Sequence, residues 1–405
     1  MFFKKILYFL LVAIDGVGLL WASENTLRIE DFLSMAQEKN LDVKIENANA
    51  QGSEARAVGI ALPPPMVNAI KMKMEDGKSA SGFEATQMLP FPGKLIGDYR
   101  ARQNEEHSSK EMKWAKESEV EAQARSLFVG LWIAQEKKNV LNEREKIIQE
   151  HIHLARSTTR SDSSASLHLL QVESEFDFLQ NQVKETLLEI RERQIQVAAI
   201  INMNPANYRP VAIAPPLTTI PLNAPLTEAT HQVLSIHWEL ESLKARETEA
   251  NSSWAPDFNF RYKEMGATSM FPRYKEFMVG ITLPFAFFWE PHSQSIGAFS
   301  NRLKKEYEYE REKLKVETER SSLLSKAESL REQIELISEK LIPRAHKRMK
   351  VMNNLAPRDM QTLEAHLATM NALPELKMKS LELRMQYEEA VAGLNKYLKR
   401  GENHQ

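Results

Sequence analysis

The sequence contains no cysteine among its 405 residues. This absence excludes disulfides, thiolate metal sites, cysteine nucleophiles and a lipid anchor on an N-terminal cysteine. Neither sign of charge dominates, since 53 basic and 55 acidic residues give a formal net charge of −2. Nucleic-acid-binding proteins normally carry a basic patch or stripe, so we expect no nucleic-acid partner.

Long apolar runs are also scarce. Mean hydropathy is −0.43, and after Ala22 no run approaches the roughly 20 apolar residues that a transmembrane helix requires. Before that point, Lys4 and Lys5 precede an apolar core at Ile6–Ile14. This is the pattern of a secretory signal peptide that is cleaved after Ala22 or Ser23. We expect an exported chain, with an uncleaved N-terminal anchor as the alternative.

The two halves of the sequence share one pattern. Phe83–Phe91 (FEATQMLPF) and Phe277–Phe285 (FMVGITLPF) both end in Leu-Pro-Phe and start 277 − 83 = 194 residues apart. A shift of about 195 residues also carries 40–55 onto 235–250. Each half has the pattern of a helix, two paired strands, a long helix and a second long helix. Such a duplication behind an export signal favours a membrane-spanning duct over an enzyme.

The paired strands alternate between apolar and polar residues with period two, as membrane strands do. Strands of about 9–13 residues match a tilted crossing of a hydrocarbon layer about 30 Å thick. The linker 75–79 has turn chemistry, and we expect Met72 and Met74 in the strand before it to face lipid. The residues predicted to form the lipid-facing surface are Phe83, Leu89, Phe277, Val279, Ile281 and Leu283.

Four strands in one chain would leave unpaired sheet edges that lipid cannot satisfy. Several copies must therefore close one barrel, and three copies give 3 × 4 = 12 strands, within the range of outer-membrane barrels. The helix predicted over about 100–154 would be about 80 Å long. A narrow apolar stripe follows part of this helix, and such a seam suits coiled-coil packing against neighbouring helices. Its predicted members are Ala124, Leu127, Phe128, Leu131, Leu141, Ile148 and Ile152.

No residue pattern indicates catalysis or cofactor binding. His151 and His153 are two residues apart and would point about 200° away from each other on a helix, whereas helical metal pairs use a spacing of three or four. Gly93-Lys94 lacks the remaining residues of a phosphate-binding loop. We therefore predict no enzyme activity, no cofactor and no bound metal.

At this point the chain resembles the TolC-type outer-membrane efflux family. The resemblance covers about residues 24–400 and depends on the duplicated plan and on Gln87-x-Leu89-Pro90-Phe91-Pro92-Gly93-Lys94, which is similar to the strand-to-helix junction of many members. It implies a mainly α fold with a membrane β-barrel contribution: a homotrimer with a 12-stranded barrel in the Gram-negative outer membrane, continued by an α-helical barrel in the periplasm. It further implies a passive exit duct whose partners are a periplasmic adaptor, an energised inner-membrane pump and outer-membrane lipid.

The resemblance also implies two helix-turn-helix tips, at 156–170 and 353–363, which form the periplasmic entrance and the adaptor-docking surface. Neither tip has the glycine that family tips commonly carry. Their charged residues are either gating or docking groups, or simply solvated turn residues. The candidate residues are Arg160, Asp162, Ser163, Leu167, Arg358 and Asp359.

The predicted organisation is therefore a duplicated helix, β-hairpin and long helical hairpin. A periplasmic coiled-coil adaptor or scaffold of the cell envelope is the alternative function, and the exported substance, whether drug, metal ion or protein, cannot be read from the sequence. The predicted boundaries are 1–22 for the signal peptide, 23–203 for the first repeat (strands 66–74 and 81–91, helices 100–154 and 165–202), 204–225 for a proline-rich connector, 226–400 for the second repeat (strands 257–265 and 275–286, helices 293–352 and 359–399) and 401–405 for a tail.

Overall fold

The structure is a computed structural model of the chain. It describes residues 26–73, 79–158, 163–220, 230–267, 272–284, 288–353 and 360–397, so the predicted signal peptide lies outside the described residues. Long helices dominate, together with one four-stranded sheet and one two-residue strand pair. Across the described ranges, no helix combines the length and hydrophobicity needed to cross a membrane.

The N-terminal segment forms two helices where the pattern of the first half predicts one. A short strand, β1 (Thr26–Leu27), precedes α1 (Ile29–Lys39) and α2 (Leu41–Ala57). Asn40 lies between the helices in an extended conformation, and its side-chain oxygen accepts hydrogen bonds from the backbone of Asp42 at 2.9 Å and Val43 at 3.3 Å. Asparagine favours helix starts because its side chain replaces a missing backbone partner. The helix therefore ends at Lys39 and restarts at Leu41.

The first sheet hairpin and two long helices follow. Strands β2 (Met66–Lys73) and β3 (Ser79–Leu89) precede α3 (Pro92–Thr158) and α4 (Ser163–Ile200). The first long helix thus begins at Pro92, where the missing backbone N–H of proline costs nothing in the first helical turn.

The second half repeats this order. A two-residue strand, β4 (Val211–Ala212), pairs in parallel with β1. After it come α5 (His231–Asn251), a short 3₁₀ turn, β5 (Phe258–Met265) and β6 (Tyr274–Ile281). The last helices are α6 (Trp289–Glu335), α7 (Ile342–Asn353) and α8 (Met360–Asn395).

A π-helical segment, Leu336–Leu341, joins α6 to α7. Pro343 follows it and has no backbone N–H to donate to Glu339 four residues earlier, so a regular α-helix would be strained there. Within the segment, the backbone N–H of Ile342 bonds the carbonyl of Ile337 five residues back. The wider turn accommodates the proline, and the helical rod continues past it.

The chain divides into two compact units. The helical unit comprises the described parts of 1–43, 117–224 and 319–398, and the sheet unit those of 44–116 and 225–318. Each has its own packing. In the helical unit, Phe32 and Phe128 are fully buried with ring centroids 5.9 Å apart. The predicted apolar stripe of α3 lies in its cores: all members are buried except Leu127, which is partly buried.

The connector between the halves binds to α8 through a buried carboxylate. Glu388 is 1% exposed and accepts hydrogen bonds from the backbone N–H of Thr218 at 3.1 Å and from its hydroxyl at 2.5 Å. The hydroxyl of Tyr387 donates to the carbonyl of Thr218 at 2.5 Å. A buried carboxylate needs hydrogen-bond partners. These contacts therefore hold the proline-rich connector against α8.

Candidate functional site

The candidate functional site of the sheet unit is its exposed four-stranded antiparallel sheet. The strand order is β2-β3-β5-β6, so β2 and β6 form the two edges and β3 pairs with β5 at the centre. The pairs Lys73–Ser79 and Met265–Tyr274 mark one end of the sheet, which we call the turn end. Strands β3 and β6 lead toward α3 and α6 at the opposite end.

The register divides the sheet into two faces of different chemistry. Residues directly opposite each other in an antiparallel pair share a face. Val67, Ala85, Tyr262 and Phe277 are matched in this way across all four strands. The apolar face is the one that carries this row, and Phe277 on it is 68% exposed. Its apolar members are Val67, Ala69, Phe83, Ala85, Leu89, Phe258, Phe260, Tyr262, Phe277, Val279 and Ile281.

Aromatic rings cover the middle of the apolar face. Phe83 and Tyr262 have ring centroids 5.8 Å apart, and those of Phe260 and Phe277 are 6.5 Å apart. These diagonal pairs hold neighbouring strands together. Five of the six predicted lipid-facing residues, Phe83, Leu89, Phe277, Val279 and Ile281, share this face, and the exposed Leu283 lies two residues beyond β6. What covers the face remains a prediction.

The opposite face, which we call the polar face, carries charged residues between apolar ones such as Ile70 and Met278. Arg261 pairs with Glu84 at 2.5 Å across β5 and β3. Met72 is opposite Ala80 and shares this face, as its position in the register requires. Met72 and the five predicted lipid-facing residues of the apolar face therefore lie on opposite faces, so the two expectations cannot both hold. The lysines on either side of Met72 occupy the apolar face. Met74 lies outside the described residues.

A buried carboxylate ties the two repeats together where the strands meet the helices. Asp257 binds Lys94 Nζ at 2.8 Å and accepts a hydrogen bond from the backbone N–H of Phe91 at 2.8 Å. Its own backbone N–H donates to the hydroxyl of Thr282 at 2.8 Å. Gly93 allows the close approach, since a Cβ there would lie 2.4 Å from Ser252 Oγ. These contacts explain the Pro-Gly-Lys part of the junction segment.

The predicted tip residues mostly fall where the structure gives no description. Arg160, Asp162, Arg358 and Asp359 lie outside the described residues. Ser163 is the first residue of α4. Leu167, one turn further along, is 70% exposed. Docking and gating at the tips thus remain predictions.

Three histidines from three helices converge in the helical unit. The Nε2 atom of His151 on α3 lies 3.0 Å from Nε2 of His168 on α4. The ring of His151 also stacks on the ring of His366 on α8, with centroids 5.8 Å apart. His151 is 2% exposed and His168 is 4% exposed. The Nδ1 atoms of His151 and His366 have no hydrogen-bond partner among the described residues.

These surroundings favour the neutral form of His151 and of His366. Burial, assisted by the charges that His168 and His366 would carry, lowers the pKa of His151 to about 4. Burial also lowers the pKa of His366, an effect that the carboxylate of Glu150 opposes. Within the described ranges, no group of three or more His, Asp or Glu side chains has an arrangement that would hold a metal ion.

Comparison with known proteins shows the fold. No family model matches the chain, and no curated protein matches it by sequence. The solved outer-membrane channel OprN superposes with a TM-score of 0.77 at 11% identity, covering 92% of this chain and 90% of that one. CusC, described as forming a transmembrane channel, gives 0.75 at 13% identity with 95% and 96% covered. The outer-membrane channel CmeC of Campylobacter jejuni gives 0.74 at 14% identity with 91% and 85% covered.

These similarities extend over nearly the full length of the chain, although the sequences have diverged widely. The chain therefore has the fold of outer-membrane channels. The predicted fold class, mainly helical with two strand pairs in duplicated order, is confirmed, and so is the resemblance to TolC-type channels at the level of the fold.

Proposed function

We propose that the chain is the outer-membrane exit duct of a tripartite efflux pump. It provides a passive route across the envelope for small toxic compounds, either drugs or metal ions, and an inner-membrane pump supplies the energy. The duct catalyses no reaction. The observation that carries this proposal is the exposed apolar face of the sheet. The fold that presents this face is shared with solved membrane channels.

The sheet edges support closure by several copies. Among the described strands, β2 and β6 each pair on one side only, and their outer edges would present unpaired N–H and C=O groups to lipid. Such groups cost several kcal/mol each in a hydrocarbon layer. If β6 of one copy pairs with β2 of the next, three copies give 3 × 4 = 12 strands and no edge remains. A homotrimer in the Gram-negative outer membrane, extending into the periplasm, satisfies this requirement.

We assign the periplasmic adaptor to the helix-turn-helix tips. Leu167 supports this assignment, because a large apolar side chain that is 70% exposed near a helix start suits a partner's surface. Arg160, Asp162 and Ser163 of the first tip, with Arg358 and Asp359 of the second, are the charged and polar candidates for docking or gating. Cargo selection belongs to the pump, a separate polypeptide.

Drug and metal susceptibility tests the proposal. Deleting the gene in a strain without redundant ducts should increase sensitivity to a panel of dyes, detergents, antibiotics and metal salts, and the wild-type gene should restore resistance. Unchanged sensitivity across the panel, with the protein present at normal levels in the parent, would count against an efflux role.

Membrane extraction separates the duct from the alternative, a periplasmic coiled-coil adaptor or scaffold. A scaffold should leave the membrane in high salt or alkaline carbonate, whereas a duct should require detergent. The scaffold accounts for the long helices. It gives no reason for aromatic side chains on the exposed face of a sheet, which is why we favour the duct.

A further inference from the structure

The apolar face changes character at its turn end. Lys71 and Lys73 follow Val67 and Ala69 on the same face of β2. Lys275 precedes Phe277 on the same face of β6. All three lysines are exposed. The aromatic part of the face is thus bordered by ammonium groups at the turn end.

The charge at this border is largely uncompensated. Glu264, opposite Lys275 in the register, accepts a hydrogen bond from Tyr262 and forms an ion pair with Arg273. Among the described residues, four cations and one carboxylate give a net charge of 4 − 1 = +3 on the turn end of this face. None of the three lysines has an ion-pair partner among the residues that the structure describes. On the polar face, the neighbouring row carries Lys263 between Glu84 and Glu276, which gives 1 − 2 = −1.

We propose that this border, comprising Lys71, Lys73 and Lys275, binds the phosphate groups of lipid headgroups at the edge of the hydrocarbon layer. The proposal rests on the proposed function, because it requires the apolar face to lie in a membrane. Lysine suits this position, since its stem lies along apolar surface while its ammonium group reaches the polar boundary. Cations beside a headgroup layer attract anionic lipid.

Two features favour a lipid over a free phosphate ion. Phe83 and Phe277 lie directly next to the border, and they are 42% and 68% exposed. They offer apolar contact to an acyl chain whose phosphate meets the lysines. In a closed assembly, moreover, the β6 edge of one copy meets the β2 edge of the next. Lys275 of one copy and the lysine pair of the next copy then lie at the same end of one seam.

The test uses the full-length protein, extracted in detergent as the assembled complex. The triple variant Lys71→Gln, Lys73→Gln, Lys275→Gln is compared with a control that also loses three positive charges, Lys244→Gln, Lys263→Gln, Lys304→Gln. None of the control lysines lies on the apolar face. Native mass spectrometry measures the binding of diphosphoryl lipid A, of the same lipid after dephosphorylation, and of inorganic phosphate.

The wild type and the control should bind diphosphoryl lipid A alike, and the triple variant should bind it about 100-fold more weakly, at about fivefold per lysine. Dephosphorylated lipid should bind all three proteins weakly. Equal binding by the triple variant, or equal binding of the dephosphorylated lipid, would overturn the proposal, as would displacement of the lipid by low concentrations of inorganic phosphate. The mass of the complex before lipid is added reports separately on assembly, so failure of the duct proposal is recognised independently.

Discussion

At the residue scale, the burial of His151 makes the stability of the helical unit depend on pH. Its pKa falls from 6.5 in the unfolded chain to about 4 in the folded one, chiefly through burial. Between these values the unfolded chain binds the additional proton. The contribution of the neutral His151 to the free energy of unfolding is therefore complete above about pH 6.5 and is lost as the pH falls toward 4. A shift of this size corresponds to about 3 kcal/mol.

We expect the variant His151→Gln to flatten this dependence. Thermal unfolding of the purified protein, followed by circular dichroism from about pH 7 to about pH 4, should show a smaller loss of melting temperature for the variant than for the wild type. His153→Gln is the matched control, since that side chain is exposed on the same helix. Identical profiles for His151→Gln and the wild type would show that another group controls the acid response.

The histidine cluster could not be predicted from the sequence. The sequence places His151 two residues before His153, and helical geometry argues against that pair as a metal site. Its actual neighbours lie 168 − 151 = 17 and 366 − 151 = 215 residues away, on other helices. Local spacing contains no information about such tertiary contacts. The same limit applies to Asp257, whose partners Lys94 and Phe91 belong to the other repeat.

At the element scale, the two faces of β6 should differ in their tolerance of charge. Val279→Lys places an ammonium group on the apolar face, at a cost of roughly 2–4 kcal/mol near the middle of a bilayer. Met278→Lys places the same group on the polar face next to Arg261 and Glu84. Heat-resistant oligomer in membrane extracts should therefore decrease for Val279→Lys and remain close to wild type for Met278→Lys.

We choose Met278 as the control and avoid the nearby Thr282, because the hydroxyl of Thr282 accepts a hydrogen bond from the backbone N–H of Asp257. Substituting Thr282 would disturb the junction as well as the face. Equal losses for the two lysine variants would mean that the faces are assigned incorrectly.

Close packing between α3 and α5 gives a second prediction at this scale. A Cβ added at Gly97 would lie 2.8 Å from the backbone N of Glu249, whereas one added at Gly297 on α6 meets nothing within 4 Å. Gly97→Ala should destabilise the protein by about 1–3 kcal/mol through overpacking. Gly297→Ala should stabilise it by up to about 1 kcal/mol through helix propensity. Chemical denaturation of the two variants measures both effects, and the same sign for both would contradict the packing.

The elements themselves could be predicted to the extent that the sequence pattern is periodic. The period-two spacing of Phe277, Val279 and Ile281 predicts a strand, and the structure has one there. The sequence pattern does not predict the break at Asn40, because the pattern on both sides of it is helical and a single side chain caps the second helix. The helix predicted over 293–352 runs through Pro343, and the π-helical segment before this proline accommodates it. The face of Met72 depends on pairing with β3, which strand periodicity alone does not determine.

At the scale of the whole molecule, closure by three copies predicts that cross-linked products contain at most three chains. Because the chain lacks cysteine, Val67→Cys on β2 and Val279→Cys on β6 would provide unique thiols at the two sheet edges. A bismaleimide added to membranes of the double variant should produce dimers and trimers on a denaturing gel, and nothing larger.

Each single variant should remain monomeric, since every seam joins a β2 edge to a β6 edge. Cross-linked dimers of a single variant would indicate pairing of like edges. Bands above three chains would exclude a closed trimer.

The central pairing of β3 with β5 also determines when the sheet can form during synthesis. Gly82 pairs with Met265, which is made 265 − 82 = 183 residues later. At about 5–20 residues per second, the first hairpin waits about 10–40 s for its partner. An isolated hairpin is marginally stable in water, and its unpaired edges invite aggregation. The first hairpin therefore lacks its partner in the sheet until the second half of the chain is complete, and its edges must be kept from aggregating until then.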